Sequence, residues 1–246
     1  MTTFKERFKQ KIISYERKDY TFNEDILFNA LDLSSTTEDG YRQYRTPDGN
    51  YYPSVTTVLS TTKSEESKKS LEKWRKRIGY EEAEKITNNA AIRGTFLHNL
   101  CEEYILNGMI KEIPKYDTNE YHLWRQIYPI LQRMNNIHLI EGALYSDKLK
   151  IAGRTDNVSF FDNELSIVDF KTSRKEKEEW MIEDYFIQES IYAMMFEERY
   201  GINIRQGVIC MAIDNNVYGN GQVFIKKLKP YKIKAIKRIK EYYANK

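Results

Sequence analysis

The chain has 246 residues, 41% of them hydrophobic and 30% charged, with a formal net charge of +3. Those values fit a globular protein built as one large domain, or as a catalytic domain with small additions. No apolar run approaches the ~20 residues of a membrane helix, and the opening MTTFKERFKQKIISYERKDY lacks a signal-peptide core, so an intracellular protein without a membrane partner is expected.

Residues 1–33 alternate charged and aromatic side chains and suit a helix or an adaptable arm. Two Asp-Gly turn signals follow, Asp39-Gly40 and Asp48-Gly49. YRQYRT between them reads as a strand, so Tyr41 to Val55 is expected to form a hairpin. From Glu65 to Asn107 the apolar spacing turns helical, with a break at Gly79 and an end at Asn107-Gly108. Asn119 to Met134 fits another helix, which Pro129 should kink or split. Three strands are expected at residues 138–146, 150–161 and 164–172. A long helix from about Glu178 to Tyr200 stops at Gly201, two strands occupy 204–213 and 221–228, and a basic helix ends the sequence. This order predicts an α/β fold with a central mixed sheet flanked by helices. Three parts are expected: an N-terminal helical or arm segment (1–40), a main domain (41–228) and a basic C-terminal helix (229–246).

The small net charge conceals an uneven distribution. Residues 226–246 hold nine Lys/Arg and one Glu, and residues 63–77 hold seven Lys/Arg and three Glu, leaving the remainder at −9. Two basic patches on an acidic body suit a polyanion, which binds by displacing counterions, and equally suit two solvated helix faces. Two cysteines, Cys101 and Cys210, cannot supply a four-cysteine cluster by themselves and read as buried free thiols.

The strongest chemical signal lies in the strand meander. Asp162-Asn163 is a good two-residue hairpin loop. If Phe161 pairs with Glu164, stepping inward along both strands brings Asp156 opposite Asp169. Opposed carboxylates repel at about 5 Å, and a hard divalent cation between them reverses that penalty. Alternation places Lys171 on the same face as Asp169. The third strand is apolar on both faces, so an aspartate and a lysine there are costly unless paired or metal-bound. An Asp–Lys ion pair at a fraying strand end is the simpler alternative.

Two helices carry further candidates. His98 and Glu102 are four apart and share a face, as metal ligands or as an ordinary half-buried surface pair. Gln188 and Tyr192 are likewise four apart on the helix after the hairpin, where they suit phosphate or base binding or the satisfaction of backbone groups. Arg93, Arg154, Arg174 and Lys175 are candidate phosphate contacts; solvated side chains are the alternative.

Together RGTFLHNLCEEYI (93–105), AGRTD (152–156), IVDFKTS (167–173) and QESIY (188–192) resemble the PD-(D/E)XK nuclease superfamily, in its RecB-like exonuclease branch. YPSVTTVLS (52–60) is similar to the segment preceding the nuclease core in mitochondrial and phage members. The likeness covers about residues 41–213, and the first motif reads Gly-Arg-Thr-Asp rather than Pro-Asp. It implies a restriction-endonuclease-like core in residues 41–228 and a DNA exonuclease acting on single strands or ends, in phage DNA processing, recombination or repair. A structure- or sequence-specific endonuclease and a non-catalytic DNA-binding recombination module are the alternatives on the same fold. The resemblance assigns Asp156, Asp169, the Phe170 carbonyl and His98 as metal ligands, and Lys171 to orienting or activating water. Glu102, Gln188 and Tyr192 become supporting residues. One or two Mg²⁺ or Mn²⁺ ions are implied, without the iron–sulfur cluster of some relatives.

Overall fold

In the computed structural model, which describes residues 16–245 except residue 28, a three-stranded and a five-stranded sheet carry the chain's helices. The first part holds a short helix α1 (Glu24–Leu27) and an antiparallel sheet of β1 (Ser35–Glu38), β2 (Tyr41–Arg45) and β3 (Tyr51–Pro53). The expected hairpin is there, extended by β1 across the Asp39-Gly40 turn. Residues 1–15 of the expected arm lie outside the described residues.

Helix α2 (Val55–Thr61) follows at once, its first turn closed by the Ser54 hydroxyl accepting from Thr57 N–H at 2.9 Å. Then come α3 (Glu65–Ile78) and α4 (Tyr80–Asn107), parted at Gly79 as the sequence predicts. Gly108 ends α4 in the left-handed conformation at φ 69°, which a side chain resists. Helix α5 (Asn119–Leu131) corrects an expectation. Pro129 sits in its last turn and the helix runs past it, while Met134 opens the next strand instead of closing the helix.

The main sheet has the order β4 (Met134–Ser146), β5 (Ile151–Phe161), β6 (Glu164–Ser173), β7 (Gln206–Ile213) and β8 (Gln222–Lys227). All pairs are antiparallel except β6 with β7, which needs a crossover, supplied by a 3₁₀ turn (Glu179–Ile182) and α6 (Glu183–Tyr200). Helix α7 (Lys229–Ala244) closes the described chain.

Apolar residues fill both sides of this sheet. On one side Val158, Ile167, Ile209 and Met211 pack with α2, α6 and α7. On the other, Phe161, Val168, Phe170 and Cys210 pack with α4 and α5. Cys101 and Cys210 are free and buried in this second core, as expected. Among the described residues no helix is long and apolar enough to cross a membrane.

Candidate metal centre

The β5–β6 hairpin turns through Asp162 and Asn163, at φ 49° and 66°, and sets the predicted register: Phe161 pairs with Glu164 and Asn157 with Val168. The ladder ends one rung short of Asp156 and Asp169. Beyond it β6 stays with β7 as far as Ser173, while β5 stays with β4. The two strands therefore fork where the carboxylates lie. Asp156 Oδ2 bridges the fork by accepting the Phe170 N–H at 2.8 Å.

A second irregularity faces the first. The β4–β5 ladder passes from Ile140↔Asn157 to Gly142↔Thr155, skipping Glu141 and Asp156. Glu141 takes φ 46°, a left-handed conformation rare for a residue with a side chain. Leu139 and Leu144 consequently both reach the α6 side although they stand five positions apart, an odd step that regular alternation would put on opposite faces. Arg154 fixes the kink, donating to the Glu141 carbonyl at 2.6 Å and to Asp32 at 3.1 Å.

His98 enters from α4. Its Nε2 donates to the Phe170 carbonyl at 2.7 Å, and Nδ1 lies 3.5 Å from Asp156 Oδ2 and 3.8 Å from Glu141 Oε1. Burial works to lower the imidazole pKa, but the nearby Glu141 carboxylate and the Asp156 charge prevail and lift it to about 9. The ring is thus a cation held by carboxylates, and must release that proton to act as a nitrogen ligand.

Asp169 has other partners. Its carboxylate accepts from Lys171 Nζ at 2.6 Å and from Gln188 Nε2 at 3.4 Å, and Lys171 lies 5.4 Å from the centre of the Tyr185 ring. Burial pushes the Asp169 carboxyl upward and Lys171 partly reverses the shift. Burial works against the Lys171 ammonium, yet Asp169 and Asp156 outweigh it and raise its pKa. Lys171 is thus held as a charged ammonium by these carboxylates.

The remaining candidates fall in distinct places. Glu102 lines a polar cleft of about 390 Å³ with His98, Glu141 and Arg154. Tyr192 is buried against bare β5 backbone: a Cβ at Gly153 would meet its Cε1 at 2.9 Å. Arg93 is engaged in a largely buried ion pair with Asp214 at 2.8 Å, tying α4 to the end of β7. Arg174 and Lys175 are exposed just past β6.

Donor chemistry decides whether a metal fits. One ligand atom each from His98, Glu141 and Asp156 lies within 4.8 Å of the others, the group of this kind found among the described residues. An imidazole nitrogen with carboxylate oxygens suits Mg²⁺ or Mn²⁺, the nitrogen favouring manganese. Sequence reasoning did not select Glu141. The register argument used for β5 and β6 could have found it, because extending the pairing from Ser146↔Ile151 along the preceding hairpin brings Glu141 opposite Asp156.

The profile of the PD-(D/E)XK nuclease superfamily matches residues 63–241. Human mitochondrial genome maintenance exonuclease 1 is 26% identical over 173 residues, 66% of this chain and 49% of that protein. The Xenopus tropicalis protein of that name is 28% identical over 172 residues, 65% of this chain and 48% of its own length. The chain therefore spans about half the length of these curated relatives. The superfamily match extends over most of the chain and includes the fork, His98 and the α6 pair, so the chain belongs to the PD-(D/E)XK nuclease superfamily.

Proposed function

We propose that this chain is a Mg²⁺- or Mn²⁺-dependent deoxyribonuclease that works as an exonuclease on single strands or exposed DNA ends. The observation that carries this reading is the forked sheet, which sets the His98–Glu141–Asp156 group beside the buried Asp169–Lys171 pair. A distant likeness to proteins named as exonucleases supports the mode of attack.

His98, Glu141, Asp156 and Asp169 would hold the metal, with the Phe170 carbonyl available once His98 no longer donates to it. Bound there, a divalent ion supplies a water of lowered pKa and a counter-charge for phosphate. Lys171, held charged by Asp169, stabilises negative charge gathering on the phosphate oxygens. Gln188 steadies Asp169 from α6, and the Tyr192 ring fixes that helix against β5. Recombination, repair or phage DNA processing is the setting such end-directed hydrolysis suits.

The test is digestion of single-stranded DNA labelled at each end in turn, beside a closed single-stranded circle, with Mg²⁺ and with Mn²⁺. Linear strands should be degraded while the circle persists. Rapid cutting of the circle would make the protein an endonuclease. No hydrolysis with either metal would leave a DNA-binding module.

A further inference from the structure

The two basic segments, far apart in sequence, meet in space. A cleft of about 530 Å³ opens between the end of α2, the start of α3, the first turns of α6 and the outer side of α7. Lys63 and Lys68 enter from the α2–α3 side, and Lys234, Lys237 and Arg238 from α7. Much of this charge is already committed. Lys68 pairs with Glu65 at 2.9 Å, and Lys234 with Glu183. Arg238 holds the walls together by donating to the Leu59 carbonyl at 2.5 Å, the Thr62 hydroxyl at 2.6 Å and Asp184 at 3.1 Å. Lys63 and Lys237 make no ion pair among the described residues; Glu241, one helical turn from Lys237, lines the same cleft, where five basic side chains face three glutamates.

The cleft adjoins the metal centre through α6. The first two turns of that helix present Glu183 and Ile187 to the cleft, and Tyr185 and Gln188 to Lys171 and Asp169. A helix with its side chains is about 10–12 Å across, so the cleft and the metal centre lie about one helix width apart.

We propose that this cleft carries the backbone of a single DNA strand to or from the metal centre, with phosphates on Lys63 and Lys237. This rests on the nuclease reading for its substrate, and it assigns the two basic segments one joint role in strand binding.

The test compares wild type with the double variant Lys63→Gln/Lys237→Gln. A control, Lys227→Gln, alters a lysine paired with Glu164 at the far end of β6. Binding of fluorescein-labelled oligothymidylate is followed by anisotropy in EDTA across a salt series. Turnover is followed separately with Mn²⁺. The double variant should bind on the order of tenfold more weakly, and its salt slope should fall by about 1.4, from about 0.7 per lost phosphate contact on a single strand. Turnover at saturating strand should stay within about twofold while KM rises.

An unchanged salt slope, or an equal loss in Lys227→Gln, overturns the assignment. So does tighter wild-type binding to duplex with the same dependence on both lysines. If wild type cuts nothing yet the slope falls as expected, the nuclease reading fails and the strand-binding cleft stands.

Discussion

Asp156 accepts the Phe170 amide hydrogen at 2.8 Å across the gap where β5 leaves β6, and Phe170 returns its carbonyl to His98 at 2.7 Å. One backbone residue thus links the carboxylate to the imidazole, and the fork exposes both of its polar groups to side chains instead of to a neighbouring strand. Replacing Asp156 with Ala should abolish Mn²⁺-dependent hydrolysis and also leave the Phe170 amide without that acceptor. An orphaned buried donor costs roughly 1–3 kcal/mol. Urea unfolding in EDTA should register that loss, whereas Asp156→Asn, which keeps an acceptor oxygen, should lose activity with less destabilisation.

The Asp169–Lys171 pair gives a test of a different kind. Asp169 is nearly sealed from water, with its side chain 5% exposed, while Lys171 is 22% exposed. Removing the lysine as Lys171→Met strands a buried carboxylate and should cost roughly 3–5 kcal/mol. Asp169→Asn/Lys171→Met removes both charges and should recover much of that stability while remaining inactive. Additive losses in the double variant, measured by urea midpoints, would contradict a coupled pair.

Glu141 is where stability and function should trade. Its left-handed backbone costs about 1–2 kcal/mol for a residue bearing a Cβ, and glycine escapes that cost. Glu141→Gly should therefore unfold at a higher urea concentration without metal, by about 1 kcal/mol. The same variant should bind Mn²⁺ on the order of tenfold more weakly by calorimetry, in the range seen when metal-site groups are altered. Undiminished Mn²⁺ affinity would remove Glu141 from the centre.

Much of this site was legible because register is arithmetic. Asp162-Asn163 is a strong turn signal, side-chain alternation has period two, and the apolar β6 admits charge only for a reason. Those facts locate Asp156, Asp169 and Lys171 near one another. What the sequence hid came from departures from regularity. The reset at Glu141 has no marker in HLIEGALYS beyond a glycine after the glutamate, and the fork arises because β6 finds β7, a partner over thirty residues away. The meeting of Lys63 with Lys237 depends on how α2 and α7 both pack on α6, which no local pattern records. Pro129 does not split α5, because it lies in the last turn and the helix ends two residues later at Leu131.

Glu189 should make stability depend on pH. It is fully buried, with Oε1 accepting the Val208 N–H at 3.0 Å and Oε2 without a hydrogen-bond donor. Burial raises its pKa well above the usual carboxylate range, so the folded protein keeps the proton after the unfolded chain has released it. Folding is then favoured below the unfolded pKa of about 4.3, and this contribution fades as pH rises toward the folded value. Glu189→Gln, neutral at every pH, should flatten that decline. Urea midpoints between mildly acidic and mildly alkaline pH should converge at the acidic end and separate in favour of the variant at the alkaline end.

The basic character of α7 invites its removal as a dispensable tail. Ala235, Ile239 and Tyr242 are buried in the core beside α6, and Arg238 joins α7 to α2 and α6. Deleting residues 231–246 removes core side chains as well as lysines, and a single large-to-small change at such a site already costs roughly 2–5 kcal/mol. The truncated protein should therefore unfold early in urea, and its loss of DNA binding would report the missing core. Ile239→Ala separates the two effects. It should lower the urea midpoint while leaving the salt slope of strand binding unchanged, because it removes packing and no charge.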